Sequence, residues 1–518
     1  MAGTRQAEGA PGAHALRRGT RRRDAALVQR PWGQPVVRLA PMEPVSADEL
    51  EAIHGTALTI LETVGIWFHE DEARDIFRRA GASVDEDSHR VRIGRDIVEE
   101  ALSRVVSDFV LTPRNPDRAV TIGANRLAFT TVLGPPVCTD LERGRRPGTL
   151  ADFADFMRLG HHFNAIHMMG GSAVEPGDIP VPVRHLESAR TMLKLTDKVP
   201  YVFCHSRQRI HDVLDMTAMV RGLRREDLAT TPSTYAIINT NSPLQYDTSM
   251  ANGVIEMARH GQPVLLTPFS LAGATMPVAL AAAIAMSAAE MLAGLVLSQF
   301  VRPGAPFVTG AKTLNVDMKT GAPAFGSAEG NRAVLVGGQL ARRYGIPFRA
   351  SNFCSSNAPD AQAAWESQGT LWGAVGAGAS IVMHAAGWLE GGLCASFEKF
   401  VLDIELLQLM ATFLEPMRVD AETLDISEIG EVGPGGHFFG TERTIAAYET
   451  AFYNPLVATT QNHGAWMEAG GLDAAQRAHI VYKRALAEYV EPSLDPAIAE
   501  ELDAFVARRI AEGGAPIS

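Results

Sequence analysis

The sequence predicts an α/β protein, a (β/α)8 TIM barrel with an N-terminal helical extension and C-terminal helical additions. From residue 127 onward, short apolar runs alternate with long helical patterns eight times, at near-regular spacing. Continuous apolar strands that alternate with helices indicate a parallel sheet covered on both faces. Eight such units favour a closed barrel. A doubly wound open sheet is the alternative, but no predicted strand leads into a GxGxxG motif.

The chain before the barrel divides into a tail and a helical region. Residues 1–41 are predicted to form a flexible basic tail, with five arginines between positions 17 and 23. No apolar segment of a secretory signal follows these arginines. Residues 42–126 are predicted to form a helical extension with short strands. Ser46 and Glu49 open it with the capping-box pattern, and amphipathic helical patterns follow.

The barrel is predicted to span residues 127–415, and residues 416–518 are predicted to form a C-terminal helical segment packed on it. A long helix beginning near Ser396 follows the eighth strand, and a glycine-rich loop occupies residues 431–444. The eight strand candidates are residues 127–133, 165–171, 201–205, 234–240, 263–269, 306–310, 346–352 and 380–386.

The composition limits the classes of function. Hydrophobic residues make up 46% of the chain and charged residues 20%, which is typical of a soluble globular protein. The net charge of −12 argues against general nucleic-acid binding. Residues 277–301 are apolar enough to cross a bilayer, but Glu290 in their middle favours a buried core helix. We therefore expect no nucleic-acid or membrane partner, and alanine-rich helices are compatible with a homo-oligomer.

The motif search assigns no metal ligand and no catalytic acid, base or nucleophile. The four cysteines lie far apart without a CxxC pair, which predicts reduced thiols in a cytoplasmic protein. The HxH and HExxH patterns are absent, and Cys204 and His205 are adjacent rather than spaced for tetrahedral binding. The GxSxG and P-loop patterns are absent as well.

Polar and aromatic side chains follow several predicted strands, where a barrel of this kind carries its site. The segment SNFCSSN (351–357) lies on this rim. Each residue alone is more often a turn cap or a packing residue, but their shared position favours a common site. The candidates at this rim are His205, Asn239, Asn241, Tyr246, Phe269, Asn352, His384 and Trp388.

Four segments together resemble the trimethylamine methyltransferase family. They are APDAQAAWES (358–367), GAGASIVMHAAGWLEGGL (376–393), SFEKFVLDIELL (396–407) and GPGGHFF (433–439). The resemblance extends from about residue 40 to about residue 510. It implies a methyltransferase that moves a methyl group from a methylated amine to the Co(I) of a separate corrinoid protein.

The resemblance also limits which methylated amines we expect as the substrate. Founding members use pyrrolysine at a barrel position close to residues 351–357, where this chain has only standard residues. Family members without pyrrolysine include glycine betaine methyltransferases, so the implied substrate is a small quaternary amine such as glycine betaine. A quaternary nitrogen is already cationic, and its amine leaves as a neutral molecule without a proton. The pocket therefore has only to orient the substrate.

The corrinoid is expected on another chain. The DxHxxG pattern of cobalamin-binding domains is missing, and no segment is left for such a domain once the barrel is assigned. We therefore expect no tightly bound cofactor here. The expected partner is a small methyl-corrinoid protein that carries cobalamin and docks over the barrel mouth.

The resemblance suggests roles for the rim residues. Aromatic faces attract a trimethylammonium group, and a substrate carboxylate needs hydrogen-bond donors. The aromatic candidates are Tyr246, Phe269, Trp388 and Phe438. The donor candidates are His205, Asn239, Asn352, His384 and His437. The loop of residues 431–444, which holds His437 and Phe438, is expected to close over the site.

Two other classes of function remain open. One is a barrel lyase or aldolase-type enzyme that uses histidine and asparagine side chains, with or without a divalent metal. The other is a non-catalytic binder of quaternary amines.

Overall fold

The computed structural model describes residues 26–516, in which helices and strands alternate along most of the chain. The first helix begins at Ser46, whose side chain forms the predicted capping box with Glu49. The α-helices are α1 (Ala47–Thr59), α2 (Asp71–Arg79), α3 (Arg95–Leu102), α4 (Leu150–His162), α5 (Val181–Leu195), α6 (Arg207–Val220), α7 (Thr248–Arg259), α8 (Leu280–Val301), α9 (Ala328–Tyr344), α10 (Ala361–Gly376), α11 (Phe397–Phe413), α12 (Ser427–Val432), α13 (Glu442–Ala447), α14 (His463–Glu468), α15 (Ala474–Ala487) and α16 (Pro496–Ala511).

The strands are short, and most of those in the central sheet are buried along their whole length. They are β1 (Ile66–Phe68), β2 (Ser83–Asp85), β3 (Arg90–Arg92), β4 (Phe109–Leu111), β5 (Val120–Ile122), β6 (Ala128–Thr131), β7 (Val137–Thr139), β8 (Arg146–Pro147), β9 (Ala236–Ile238), β10 (Gln245–Tyr246), β11 (Val264–Leu266), β12 (Phe269–Ala272), β13 (Phe307–Gly310), β14 (Lys312–Asn315), β15 (Phe348–Ser351), β16 (Ile381–Ala386), β17 (Trp388–Leu389) and β18 (Cys394–Ser396).

Six of these strands form one parallel sheet in the order β6–β16–β15–β13–β11–β9. Val264 of β11 lies opposite Ala236 of β9 and Phe307 of β13. The eighth predicted strand lies beside the first, because Ile381 of β16 is opposite Ala128 of β6. The sheet is therefore curled, and the predicted α/β class with a parallel sheet is confirmed.

The second and third predicted strands are reduced to bridging residues. The parallel bridges are Thr130–Met168, Met168–Val199 and Tyr201–Tyr235. Pro200 has no N–H to donate, so it interrupts regular pairing in the third run. The second run ends at Gly171, whose φ of 81° is outside the range of an extended strand.

Residues 26–41 pack against the parallel sheet, which differs from the prediction that they belong to a flexible tail. The backbone N–H of Leu127, just before β6, donates to the carbonyl of Pro35 at 2.9 Å. The ring of Trp32 lies 5.1 Å from that of His167. The segment therefore lies beside the amino end of β6. The five predicted tail arginines lie outside the described residues.

Helix α8 is the one described helix long and apolar enough to cross a membrane, and 78% of its apolar window is buried inside the protein. Its buried Glu290 accepts hydrogen bonds from the Ser242 hydroxyl and the Leu244 N–H, both at 2.7 Å. Burial raises the pKa of this carboxyl group. Glu290 therefore attaches a core helix to the loop after β9, as the sequence predicts for a buried helix.

The C-terminal residues are of two kinds. Helix α15 packs on α11 and α4, and α16 packs on α5 and α6. The segment between α11 and α14 is largely exposed, and Phe439 and Phe452 are 85% and 90% exposed.

Candidate active site

A pair of short strands extends the structure beyond the carboxyl ends of β11 and β13. Strand β12 pairs in parallel with β14, and Phe269 lies opposite Lys312. Paired residues in register point to the same face of a sheet. Phe269 and Lys312 therefore lie side by side at the carboxyl end of the parallel strands, where α/β folds carry their sites.

The Lys312 side chain lies among four aromatic rings, which we call the aromatic box. Its Nζ is 4.3 Å from the ring centroid of Phe269, 5.1 Å from Phe353, 5.5 Å from Trp388 and 5.6 Å from Phe325. The negative faces of aromatic rings attract a cation at these distances. The box therefore already holds an ammonium group of the chain itself.

The rings of the box support one another. Phe325 lies 5.1 Å from Phe353 and 5.6 Å from Trp388, centroid to centroid. These three side chains are buried, and Phe269 is half-buried. A Cβ at Gly392, where φ is 98°, would lie 2.5 Å from the Trp388 ring. Glycine at that position has no Cβ and therefore leaves space for the indole ring.

The polar segment 351–357 forms hydrogen bonds with two residues of the box. The Trp388 Nε1–H donates to the Cys354 carbonyl at 3.2 Å, and the Cys354 thiol donates to the Trp388 carbonyl at 2.9 Å. The Ser355 hydroxyl donates to the carbonyl of Phe325 at 2.9 Å. These polar groups position two of the four rings.

His384 closes one side of the box. Its ring lies 4.5 Å from that of Trp388, and its Nδ1 is 3.2 Å from the Ser351 hydroxyl. Its φ of 53° is uncommon for a residue with a side chain. Burial, and then the charges of Lys312 and Arg349, hold the pKa of His384 well below its usual value. The imidazole is therefore neutral.

Arg349 places a second cation next to the box. Its guanidinium is buried, and one Nη–H donates to the Ser351 hydroxyl at 3.0 Å. Its Nε has no hydrogen-bond partner among the described residues. Burial lowers the pKa of Arg349 to about 10, so the group stays charged at neutral pH.

Lys312 is poised between its two protonation states. Burial, and then the charge of Arg349, lower its pKa to about 7. Ammonium and amine forms are therefore both populated near neutral pH.

The structure brings three predicted residues to the box: Phe269, His384 and Trp388. Asn352 adjoins them, but its side chain is used internally. Its amide donates to the Ala385 carbonyl at 3.1 Å and to Asp403 at 3.3 Å, and its oxygen accepts from Thr370 at 3.1 Å. This placement does not agree with the predicted role of Asn352 as a donor to substrate, because its hydrogen-bonding capacity is already taken up.

Three predicted residues lie after the third and fourth strands and are exposed: His205, Asn239 and Asn241. Desolvation by the surrounding protein, and then the charge of Arg209, lower the pKa of His205. Asn241 exchanges two hydrogen bonds with Asp247, at 2.9 Å and 3.0 Å, and so shapes its own loop. A role for these residues in binding stays a prediction.

Tyr246 is placed differently from its predicted role. It is fully buried, its ring stacks on Phe68 at 4.7 Å, and its hydroxyl donates to the Glu290 carbonyl at 2.8 Å. It is a core residue of the small sheet that contains β1 and β10.

His437 and Phe438 lie in the exposed segment after α12. The ring of His437 is 5.9 Å from that of Phe439 in the same segment, and Phe438 is 43% exposed. Closure of this loop over the site stays a prediction.

Sequence reasoning missed Phe325, Phe353 and Arg349, and it gave Lys312 no role. Phe325 lies in an irregular stretch between β14 and α9, where no periodicity marks it. Arg349 did carry a signal, because a basic residue inside a continuous apolar strand must be buried or ligated.

One group of potential metal ligands lies within the described residues, formed by His211, Glu256 and His260. Its ligand atoms are within 4.8 Å of one another. Glu256 is already paired with Arg207 at 3.0 Å, and a guanidinium of Arg225 lies 3.3 Å from the His260 Nε2. These positive charges oppose a bound cation, so we assign no metal to this group.

Comparison with known proteins identifies the family of the chain. Residues 13–514 match the model of the trimethylamine methyltransferase family. The chain is 34% identical to a glycine betaine methyltransferase of Desulfitobacterium hafniense, covering 91% of this chain and 98% of that protein. It is 30% identical to a trimethylamine methyltransferase of the same species, covering 89% and 92%. The solved Methanosarcina barkeri monomethylamine methyltransferase is 10% identical, with a TM-score of 0.45 over 86% of this chain and 94% of that one.

The family match spans nearly the whole chain, and both relatives are covered over most of their length. The chain therefore belongs to the trimethylamine methyltransferase family and is a methyltransferase.

Proposed function

We propose that this methyltransferase takes a methyl group from a small quaternary amine such as glycine betaine and passes it to the Co(I) corrinoid of a separate protein. The observation that carries the proposal is the aromatic box, in which four rings surround a cation. A trimethylammonium group is also a cation, and aromatic faces attract it in the same way. Each well-placed ring contributes roughly 0.5–2 kcal/mol to its binding.

The reaction needs no proton from the protein. The bond from nitrogen to the methyl carbon breaks, its electron pair stays on nitrogen, and a tertiary amine leaves uncharged. The two electrons of the new bond come from Co(I), which is a substrate on the partner protein. The neutral His384 beside the box is consistent with a site that orients its ligand without acid catalysis.

We infer that the curled sheet and the three parallel bridges together form a closed (β/α)8 barrel. Residues 26–41 occupy its amino end, so a corrinoid protein must approach from the carboxyl end. Phe269, Lys312 and Trp388 all follow barrel strands at that end. The partner would then meet the box directly.

The choice of a quaternary amine over trimethylamine rests on two supports. The relative at 34% identity is a glycine betaine methyltransferase. The chain also has only standard residues near the box, whereas founding family members use pyrrolysine. A permanently charged substrate needs no imine to make its amine a leaving group.

The test is methyl transfer to free cobalamin reduced to Co(I). The full chain is incubated anaerobically with glycine betaine and, separately, with trimethylamine, and the absorbance of methylcobalamin is followed. We expect product with glycine betaine. Product with trimethylamine and with no quaternary amine would overturn the substrate. Tight calorimetric binding of glycine betaine without transfer to any Co(I) corrinoid would point to a non-catalytic binder.

A further inference from the structure

The two cations at the box, Lys312 and Arg349, have no acidic partner within residues 26–516. Among residues 26–516, neither Lys312 nor Arg349 forms an ion pair with a carboxylate. The ionisable groups that act on Arg349 are the phenols of Tyr201 and Tyr235, and the charge that acts on Lys312 is that of Arg349. Buried charges in proteins are usually paired, since an isolated one loses its hydration. This site therefore lacks one negative charge.

Unused hydrogen-bonding groups point to the same missing anion. The Arg349 Nε and the Thr267 hydroxyl are both buried, and neither has a hydrogen-bond partner in the part of the chain that the structure describes. Both side chains approach Gly310, where an added Cβ would lie 2.9 Å from the Arg349 Cδ and 2.2 Å from the Thr267 hydroxyl oxygen. A buried donor without an acceptor indicates a missing ligand, because an unformed hydrogen bond of a buried group costs free energy.

Lys312 also fills the place that a substrate ammonium group needs. Its Nζ lies within 5.6 Å of all four ring centroids. A second cation cannot share the box with it, because like charges repel strongly where water is scarce. The lysine side chain must therefore leave the box before a quaternary ammonium group can enter, and loss of its charge favours this because it removes the attraction to the rings.

We propose that Lys312 is the residue that selects a zwitterion: its ammonium group plugs the aromatic box, and a methylated amine with its own carboxylate displaces it by pairing that carboxylate with Lys312 and Arg349. This inference rests on the proposed function and narrows its substrate class to betaines. A betaine brings one positive and one negative charge. It fills the box with its trimethylammonium group and supplies the anion that the two cations lack.

Choline is the informative comparison. It carries the same trimethylammonium group as glycine betaine but a hydroxyl in place of the carboxylate. In the box it would add a third positive charge beside Lys312 and Arg349 and compensate neither. Specificity is a difference of affinities, and here repulsion of the wrong ligand supplies it.

The test measures binding by calorimetry in the absence of corrinoid, with glycine betaine and choline as ligands. We expect the wild-type protein to bind glycine betaine at least about 10-fold more tightly than choline. Lys312→Met should weaken betaine binding, strengthen choline binding and bring the two affinities within about 3-fold. Lys319→Met, at an exposed lysine, should change neither affinity.

A second measurement uses only the wild-type protein. Choline binding should strengthen as the pH rises through about 7, because Lys312 then loses its charge. The other groups that face Lys312 are Arg349 on β15, which stays charged to about pH 10, and His384 on β16, which is already neutral. This experiment decides the question even where Lys312→Met does not fold.

The outcomes separate the two claims. An unchanged ratio of betaine to choline affinity in folded Lys312→Met overturns the role of Lys312 and leaves the proposed function standing. The same holds for choline binding to the wild type that does not vary with pH. Wild-type protein that binds neither ligand, and forms no methylcobalamin from a quaternary amine, overturns the proposed function itself.

Discussion

Trp388 and Cys354 hydrogen-bond to each other in both directions. The indole N–H donates to the Cys354 carbonyl at 3.2 Å, and the thiol donates to the Trp388 carbonyl at 2.9 Å. The pair joins the segment after β15 to the segment after β16. These two hydrogen bonds to Cys354 thus fix the indole in the wall of the aromatic box.

Replacement of Cys354 tests this connection. Cys354→Ala leaves the buried Trp388 carbonyl without its donor, which costs about 1 kcal/mol or somewhat more. We expect the KM for glycine betaine to rise several-fold, while Cys354→Ser, which keeps a donor, stays near the wild-type value. Cys138→Ala removes a buried thiol elsewhere and serves as the control. An equal rise in KM for Cys138→Ala would show a general effect of lost packing.

Removal of one wall of the box should weaken substrate binding directly. Trp388→Leu keeps an apolar side chain but removes the π face, which is worth about 1–2 kcal/mol, or roughly 5- to 30-fold in affinity. Calorimetry with glycine betaine measures the change. Trp365→Leu is the matched control, because Trp365 is 64% exposed on α10. Unaltered affinity in Trp388→Leu would exclude the box as the ammonium site.

The fold followed from the sequence where local patterns agree with tertiary structure. Residues 263–269 and 346–352 are largely apolar runs between helices, and both contain regular strands of the parallel sheet. The runs at 165–171 and 201–205 were equally apolar but form only bridges. Glycine and proline in and beside them prevent regular pairing, and their effect depends on neighbours far away in sequence.

The site followed from the sequence only in part. Phe269, His384 and Trp388 were predicted as site residues because they come after strands, and the structure brings them together. Phe353 was missed because it lies in the polar segment 351–357. Polar side chains of this segment form hydrogen bonds with backbone groups of the protein. Tyr246 was misplaced because periodicity does not reveal which layer a buried ring belongs to. Long-range packing decides such cases.

The four cysteine thiols should be unreactive in the folded protein. All are buried, and burial raises the pKa of Cys138, Cys354 and Cys394 to about 12. Burial also raises the pKa of Cys204. The thiolate is the reactive form, so its fraction near neutral pH is very small. We expect Ellman's reagent to react slowly with native protein and quickly with urea-unfolded protein. Rapid labelling of a native thiol would contradict this burial.

Lys399 and Asp403 should contribute strongly to stability, because both side chains are 2% exposed and pair at 2.5 Å. Asp403 also accepts from the Asn352 amide at 3.3 Å and the Gly387 N–H at 2.9 Å, so it joins the ends of β15 and β16 to α11. Lys399→Met leaves a buried carboxylate without its cation, which costs about 3–5 kcal/mol of the free energy of unfolding.

Urea denaturation followed by circular dichroism measures this loss. Lys483→Met is the matched control, since Lys483 pairs with the exposed Glu142 and solvent screens that interaction. The double variant Lys399→Met/Asp403→Leu should recover part of the stability, because it removes the unpaired charge together with its partner. A denaturation midpoint for Lys399→Met equal to that of Lys483→Met would mean that the buried pair contributes no more than a surface one.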